Sequence, residues 1–226
     1  MITIQNFTTK YPISMIGYEA GVCYGSDVSN HDKNYKRGID CLESEHGRTF
    51  EFPDVYLTIE GYSARVIREY YTHIGCLPTR LQASTRYIDY AHKGFEYIVP
   101  PSINKNKDAL KEWQNLMSYI NQKLYELENV YNIPKEDVAN GLPLGMTTKI
   151  VDKRNLRNFI DMSHSRECVR AYWEFRQMFE DIKQALRDYS EEWKYLVDNY
   201  FKPKCEYLGY CNEKKSCGKY KNNIDK

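Results

Sequence analysis

The residues best suited to chemistry in this 226-residue chain form a polar segment between Pro78 and Tyr87. Its members carry hydroxyl, amide and guanidinium groups and are Thr79, Arg80, Gln82, Ser84, Thr85 and Arg86. Hydroxyls, backbone N–H groups and a fork-shaped guanidinium donate hydrogen bonds from several directions around a phosphate monoester. These groups would suit a phosphate-binding loop. The segment alone, however, favours the alternative interpretation, a polar turn whose arginines face solvent.

A second cluster extends from Asn155 to Arg176 and is predicted to be mostly helical. Helical spacing places Arg166, Arg170 and the Trp173 ring at successive steps of four and three residues, and it pairs Arg157 with Asp161. A face with several arginines beside aromatic rings is suited to an anion. A helix covered with surface ion pairs to Asp161, Glu167 and Glu174 remains the alternative.

Together the two clusters resemble the flavin-dependent thymidylate synthases. The stretch Ala83–Tyr87, ASTRY, resembles the end of their signature RHRxxSxNExSxRY. The carboxy-terminal block of the family, N-x-R…R…WE, is matched by Asn155-x-Arg157, Arg166 and Trp173-Glu174. Further matches in the same order are Val22-Cys23-Tyr24, Glu45-His46, Ser63-Ala64-Arg65 and Leu142-Pro143, so the resemblance runs from Tyr18 to about Ile182.

The chain departs from the family within the signature itself. Without a gap, Ile74-Gly75-Cys76 stands where the family has Arg-His-Arg, whereas a one-residue insertion brings His73 to the first position of that triplet. Both alignments remain open. Ala139 replaces a family arginine, so Arg80 and Arg154 are candidates for part of the phosphate or flavin contacts.

The resemblance implies an FAD-dependent thymidylate synthase. This class converts dUMP to dTMP by reductive methylation, with methylenetetrahydrofolate as carbon donor and NADPH as reductant, and it is implied to work as a homotetramer. One alternative is a related C5 methylase or hydroxymethylase acting on UMP or dCMP. Another is a non-catalytic nucleotide-binding homologue that has lost flavin.

The resemblance also implies roles for individual residues. Arg166 is the catalytic candidate, because a fixed cation stabilises negative charge on the uracil oxygens as C5 becomes nucleophilic. The substrate-binding candidates are Arg166, Tyr70, Arg80, Gln82, Ser84, Thr85 and Arg86. The cofactor-binding candidates are Glu45, His73, Asn155, Arg157, Asp161 and Arg170.

The seven cysteines suggest neither a disulfide scaffold nor a nucleophile. The class of thymidylate synthase that uses a thiolate carries it in a Pro-Cys-His setting, which is absent here. Cys76 lies three residues from His73 and is interpreted as a small buried residue. The tail series Cys205-x5-Cys211-x5-Cys217 would need a fourth metal ligand from elsewhere and lacks a close C-x2-C pair, so no metal site is predicted.

The elements that must position these residues predict an α+β fold with an antiparallel or mixed sheet and long helices. One domain is expected over residues 1–202, followed by a tail over 203–226 that is dispensable for chemistry and ends in disorder. In the first half, the predicted elements are an edge strand and loop up to Asn34, a strand from Pro53 to Gly61, a helix over 64–75, and a loop and a hairpin turning at Lys93–Gly94. In the second half, they are a long helix over 106–131, a short helix from Pro134, a strand over 147–151, and helices over 155–200 with breaks near Ser163 and Tyr189.

Composition places limits on the partners. With 32 basic and 31 acidic residues the formal charge is +1, which gives no bulk attraction for nucleic acid or an anionic membrane. The mean hydropathy is −0.71, and no apolar run approaches the length of a membrane span. The expectation is a cytoplasmic protein with small-molecule partners, namely a pyrimidine nucleotide and folate.

Overall fold

The computed structural model describes residues 1–222. Its contacts group the chain into two compact units. The first unit contains Met1–Ile59, Tyr70–Arg80 and the chain from Val151 onward, and the second contains Glu60–Glu69 and Leu81–Ile150. The division into a domain at 1–202 and a tail at 203–226 stays a prediction. The expected disorder of the last residues falls on 223–226, outside the described residues.

Helices dominate the described chain. They are α1 (Pro12–Cys23), α2 (His31–Glu43), α3 (Ala64–Tyr70), α4 (Tyr90–Lys93), α5 (Pro101–Asn104), α6 (Lys107–Asn129), α7 (Lys135–Val138), α8 (Leu156–Arg166), α9 (Trp173–Tyr189), α10 (Glu191–Tyr200) and α11 (Lys204–Leu208). The strands are β1 (Ile2–Ile4), β2 (Asp54–Ser63), β3 (Thr79–Gln82) and β4 (Thr147–Asn155). None of these helices is long and apolar enough to cross a membrane.

The strands form one sheet in the order β1-β2-β4-β3, which confirms the α+β fold class. β1 pairs antiparallel with β2, with Ile2 opposite Ile59 and Ile4 opposite Leu57. Alternate residues of β2 are buried, as the hydrophobic alternation after Pro53 predicts. β4 also alternates, and its buried face includes Asp152 and Arg154. The sheet therefore carries charged groups into the interior of the first unit.

Each unit has its own apolar core. In the first unit, α9 buries Phe175, Phe179 and Ile182 completely, and the Phe201 ring stacks 6.1 Å from that of Phe179. In the second unit, the core residues are Phe95, Met117, Leu124, Val138 and Met146. Two of these lie on α6, the long helix that the apolar spacing predicts, and Asn106 caps it by accepting from two backbone N–H groups.

The amino-terminal region differs from its prediction as an edge strand and loop. It forms α1, which starts at Pro12, and α2, with only the short β1 before them. Gly17 on α1 and Gly38 on α2 lie where the two helices meet. A Cβ on Gly17 would lie 1.8 Å from the Asn34 carbonyl oxygen, and one on Gly38 would lie 2.0 Å from that of Ile13. The strand and loop prediction for this region was wrong, because these glycines allow two helices to approach closely.

Other local predictions were also wrong. The expected hairpin at Lys93–Gly94 is helix α4, because the Asp89 side chain accepts from the His92 backbone N–H and caps the helix. Gly94 then ends it with φ +73°. The break expected near Ser163 lies three residues later, where α8 ends at Arg166 and α9 begins at Trp173, and the break at Tyr189 is confirmed. The helix over 64–75 ends at Tyr70, and the polar loop after Pro78 begins with β3.

Candidate active site

Arg166, the last residue of α8, is held by the turn that follows α3. Its Nε donates a hydrogen bond to His73 Nε2 at 2.8 Å, and its Nη2 lies 3.4 Å from Thr72 Oγ1. The guanidinium carbon lies 4.8 Å from the centre of the Phe175 ring. Sequence reasoning missed Thr72 and Phe175. These contacts come from two separate stretches of chain and give the guanidinium a defined orientation.

His73 is a neutral acceptor at this position. Burial, together with the positive charges of Arg166 and Arg154, lowers the pKa of His73 from 6.5 to about 4. Because Nε2 accepts from Arg166, the single proton of the neutral ring is assigned to Nδ1. His73, a cofactor-binding candidate, thus contacts the catalytic candidate directly.

The turn that carries His73 has an unusual backbone. Cys76 and Leu77 have backbone φ values of +58° and +51°, which residues other than glycine rarely adopt. Asn158 Nδ2 donates to the Gly75 carbonyl oxygen at 2.6 Å and holds this turn against α8. Asn155 Oδ1 caps α8 by accepting from the Asn158 backbone N–H at 3.1 Å. The buried cofactor-binding candidate Asn155 therefore helps to shape the turn.

A buried polar network lies behind the turn. Arg154 and Asp152 form an ion pair with both side chains fully buried, and the Tyr70 hydroxyl donates to Asp152 at 2.8 Å. The Arg154 guanidinium also lies over the Tyr70 ring at 3.9 Å. Burial holds the pKa of Tyr70 well above its ordinary value, so its hydroxyl stays protonated. These contacts give Tyr70 and Arg154 structural roles, and neither is exposed to a ligand.

Arg157 and Cys76 complete this region. Arg157 Nη1 forms an ion pair with Glu51 at 2.7 Å, and 43% of the arginine side chain is exposed. Burial, the largest cause, raises the pKa of the Cys76 thiol, while a hydrogen bond with Asn155 partly opposes it. Cys76 is half-buried rather than buried as expected, and its raised pKa favours the neutral thiol over an activated nucleophile.

The carboxy-terminal tail contacts two of the cofactor-binding candidates and shares a cavity with a third. The Tyr207 hydroxyl hydrogen-bonds to Glu45, and Glu213 pairs with Arg170 at 2.9 Å. Asp161 and Arg170 line a cavity of about 440 Å³, and the tail supplies most of its wall. The expectation that the tail is dispensable for chemistry did not anticipate these contacts.

Arg80, on β3, has an incompletely satisfied guanidinium. It stacks on the Tyr71 ring at 4.2 Å, and its buried Nη1 has no hydrogen-bond partner among the residues described. A buried donor without a partner is costly, so this atom is suited to an added anion.

The remaining substrate-binding candidates lie in the second unit. Tyr87 and Ile88 donate backbone hydrogen bonds to the Ser84 carbonyl oxygen, which makes the segment after β3 a turn. Thr85 and Arg86 are exposed on this turn, and Arg86 Nε pairs with Glu136 at 3.0 Å. Gln82, at the end of β3, is also exposed and lies 3.4 Å from Thr148 Oγ1. The turn thus offers hydroxyl and guanidinium groups to solvent.

Comparisons with known proteins agree with the fold and the motifs. Residues 7–190 match the family described as thymidylate synthase complementing protein. The flavin-dependent thymidylate synthase of Nitratidesulfovibrio vulgaris is 28% identical over 233 residues, which cover 94% of this chain and 92% of that protein. That of Pyrococcus abyssi is 29% identical over 228 residues, which cover 94% and 89%. The chain belongs to the family of thymidylate synthase complementing proteins, which confirms the resemblance identified from the motifs.

Solved structures show the same fold. The crystal structure of thymidylate synthase X from Helicobacter pylori with FAD and dUMP superposes with a TM-score of 0.67. The match covers 89% of this chain and 99% of that chain at 17% sequence identity. This likeness shows that the two proteins share a fold.

Proposed function

We propose that this protein catalyses the reductive methylation of dUMP to dTMP, with FAD as cofactor, methylenetetrahydrofolate as carbon donor and NADPH as reductant. Family membership and the names of the relatives support an FAD-dependent thymidylate synthase. The choice of nucleotide, folate and reductant is part of the proposal.

The observation that carries the proposal is the fixed guanidinium of Arg166. Carbon–carbon bond formation at C5 of uracil requires the ring to become nucleophilic, and negative charge then develops on its oxygens. A positioned cation stabilises that charge without having to reorganise during the reaction. The 2.8 Å hydrogen bond to neutral His73 and the stacking on Phe175 support this role.

The residues expected to hold FAD fit a ligand that carries a diphosphate. Arg157 and Arg170 are paired with single carboxylates and remain 43% and 47% exposed. Such exposed ion pairs contribute only about 0–1 kcal/mol, so a diphosphate can replace the carboxylates. Arg80 Nη1, which has no hydrogen-bond partner within residues 1–222, is a further donor suited to an anion. Bound FAD would supply the hydride chemistry, and Asn155, Glu45, His73 and Asp161 complete the proposed cofactor set.

The turn after β3 is assigned to the nucleotide 5′-phosphate. The Ser84 and Thr85 hydroxyls and the Arg86 guanidinium provide neutral and charged donors, and a guanidinium can bind two phosphate oxygens at once. Arg86 would exchange its exposed pair with Glu136 for the phosphate, at little cost. Gln82 is assigned to the same nucleotide.

Tritium release from C5 tests the proposed reaction and its substrate. Reduced protein with FAD, methylenetetrahydrofolate and NADPH should release tritium from [5-³H]dUMP, and omission of either folate or FAD should abolish release. If tritium is released faster from UMP or dCMP than from dUMP, that nucleotide is the substrate and the proposed reaction class stands. No release from any of the three, together with no FAD binding by calorimetry, would refute the enzymatic proposal. Light scattering tests the proposed homotetramer.

A further inference from the structure

Four of the seven cysteines line the 440 Å³ cavity of the first unit. They are Cys168, from the loop between α8 and α9, Cys205 on α11, and Cys211 and Cys217 from the chain beyond it. All four are free thiols. A metal site in the tail needs a fourth ligand from elsewhere in the chain, and the fold brings Cys168 to the three tail cysteines.

The segment that carries Cys211 and Cys217 is a closed loop. The Cys211 backbone N–H donates to the Lys221 carbonyl oxygen at 2.8 Å, and Cys211 forms a β-bridge with Asn222. Asn222 Oδ1 also accepts from the Ser216 backbone N–H at 3.1 Å. Both cysteines thus lie within one loop that these hydrogen bonds close.

This loop has almost no hydrophobic core of its own. Apart from its two cysteines, Tyr220 is the only apolar side chain between Cys211 and Asn222, and most residues there are exposed. Small loops of this composition fold when a metal supplies the energy that apolar burial cannot. The two cysteines are the only sulfur ligands in the segment, and their presence points to a metal that prefers sulfur.

The charge around the cavity suits several thiolates. Residues 203–222 contain five lysines and two glutamates, which is a net charge of +3. The cavity itself is lined by the cations Arg170, Lys204 and Lys215 and by the carboxylates Asp161 and Glu213, so one positive charge is left in excess. Nearby cations stabilise thiolates, the form of cysteine that binds metal.

We propose that Cys168, Cys205, Cys211 and Cys217 bind one Zn²⁺ through four thiolates. Zinc accepts four cysteines in a tetrahedral arrangement at about 2.3 Å. The six-residue intervals of the tail lack the close pairs of both zinc and iron–sulfur motifs, so the fold rather than the spacing brings these ligands together. As the four S–Zn bonds form, the four thiol protons pass to solvent. The site would join the tail to the loop between Arg166 and Arg170.

The thiols must move closer together for this to happen. In the described part of the chain, Asp89, His92 and Glu128 form the only group of three ligand residues whose atoms lie within 4.8 Å of one another. Tetrahedral zinc therefore requires the four sulfur atoms to approach one another, and Cys217 lies in an exposed loop. Metal binding should then order this loop, a change that can be measured directly.

Metal analysis of the full chain tests the proposal. Protein purified under reducing conditions should contain about one zinc per chain after gel filtration. Cys217→Ser changes an exposed residue, so it should leave the fold intact and lose stoichiometric zinc. Cys168→Ser tests the ligand that the fold supplies. Cys23→Ser is the matched control, because Cys23 is exposed on α1 outside the cavity and its loss should leave the zinc content unchanged.

Two further measurements follow the geometry and the ordering. Cobalt added to reduced, metal-free protein should give the intense absorption of tetrahedral thiolate coordination in the parent chain and in Cys23→Ser, and not in Cys217→Ser. Zinc should also slow tryptic cleavage after Lys214 and Lys215. Absence of zinc together with absence of cobalt–thiolate absorption overturns the proposal. Bound iron, or undiminished zinc in Cys168→Ser, overturns the assigned metal or ligand set. None of these readouts depends on turnover.

Discussion

His73 should make the stability of this protein depend on pH in a defined window. Its pKa is lowered from 6.5 to about 4 by burial and by the charges of Arg166 and Arg154. Above about pH 6.5 the ring is neutral in both the folded and the unfolded chain. As the pH falls from about 6.5 to 4, the unfolded chain binds a proton that the folded chain refuses, so stability is lost.

The size of this loss follows from the two pKa values. At about pH 5, a fully buried group with these values would cost about 2 kcal/mol relative to neutral pH. His73 is only partly buried, and solvent screening reduces the effect, so we expect about 1 kcal/mol. His73→Gln removes the titration and keeps an oxygen that can accept from Arg166 Nε.

Urea unfolding, followed by tryptophan fluorescence, to which the buried Trp193 contributes, measures the effect at about pH 7.5 and about pH 5. The parent chain should lose about 1 kcal/mol more than His73→Gln between the two pH values. Other groups titrate in both proteins, so their contributions cancel in the comparison. Equal losses in the two proteins would refute the neutral His73.

The hydrogen bond from Arg166 to His73 can also be tested through turnover. His73→Gln should keep most of kcat at neutral pH, whereas His73→Leu, which has no acceptor for Arg166, should lower kcat by about tenfold. If His73→Leu turns over as fast as His73→Gln, the hydrogen bond does not position Arg166.

Three further substitutions test the site and the network behind it. Arg86→Ala should raise KM, because about 1.5–3 kcal/mol of phosphate binding free energy is lost in ground and transition states alike. An unchanged KM in steady-state kinetics would contradict the assignment of Arg86 to the phosphate. Arg166→Ala should lower kcat by about two to three orders of magnitude, with a smaller effect on nucleotide affinity. Arg166→Lys should recover only part of the rate. A normal kcat in Arg166→Ala would exclude the role proposed for Arg166. Arg154→Met should destabilise the fold by about 3–5 kcal/mol in urea unfolding, because Asp152 is left buried and unpaired. The control Glu60→Gln breaks the exposed pair with Lys149 and should cost less than about 1 kcal/mol, so equal losses in the two variants would count against the buried network.

Local pattern predicts the elements whose residues pack in a regular period. The alternation in β2 and the apolar spacing of α6 are of this kind, because burial of one face dictates which positions must be apolar. The amino-terminal helices were missed for a tertiary reason. Gly17 and Gly38 are each required where one helix meets a backbone carbonyl of the other, and no local period in the chain records that contact.

The sequence by itself determined the family, the α+β fold class and the types of residue available for binding anions. Order and spacing carry this information, and both survive without coordinates. Only the tertiary structure decided that Arg166 rests on a neutral His73, since 93 positions separate the two residues. The burial of Arg154 with Asp152, and the meeting of Cys168 with the tail cysteines, were decided in the same way. Such contacts depend on how distant elements pack, and no local period in the chain records that packing.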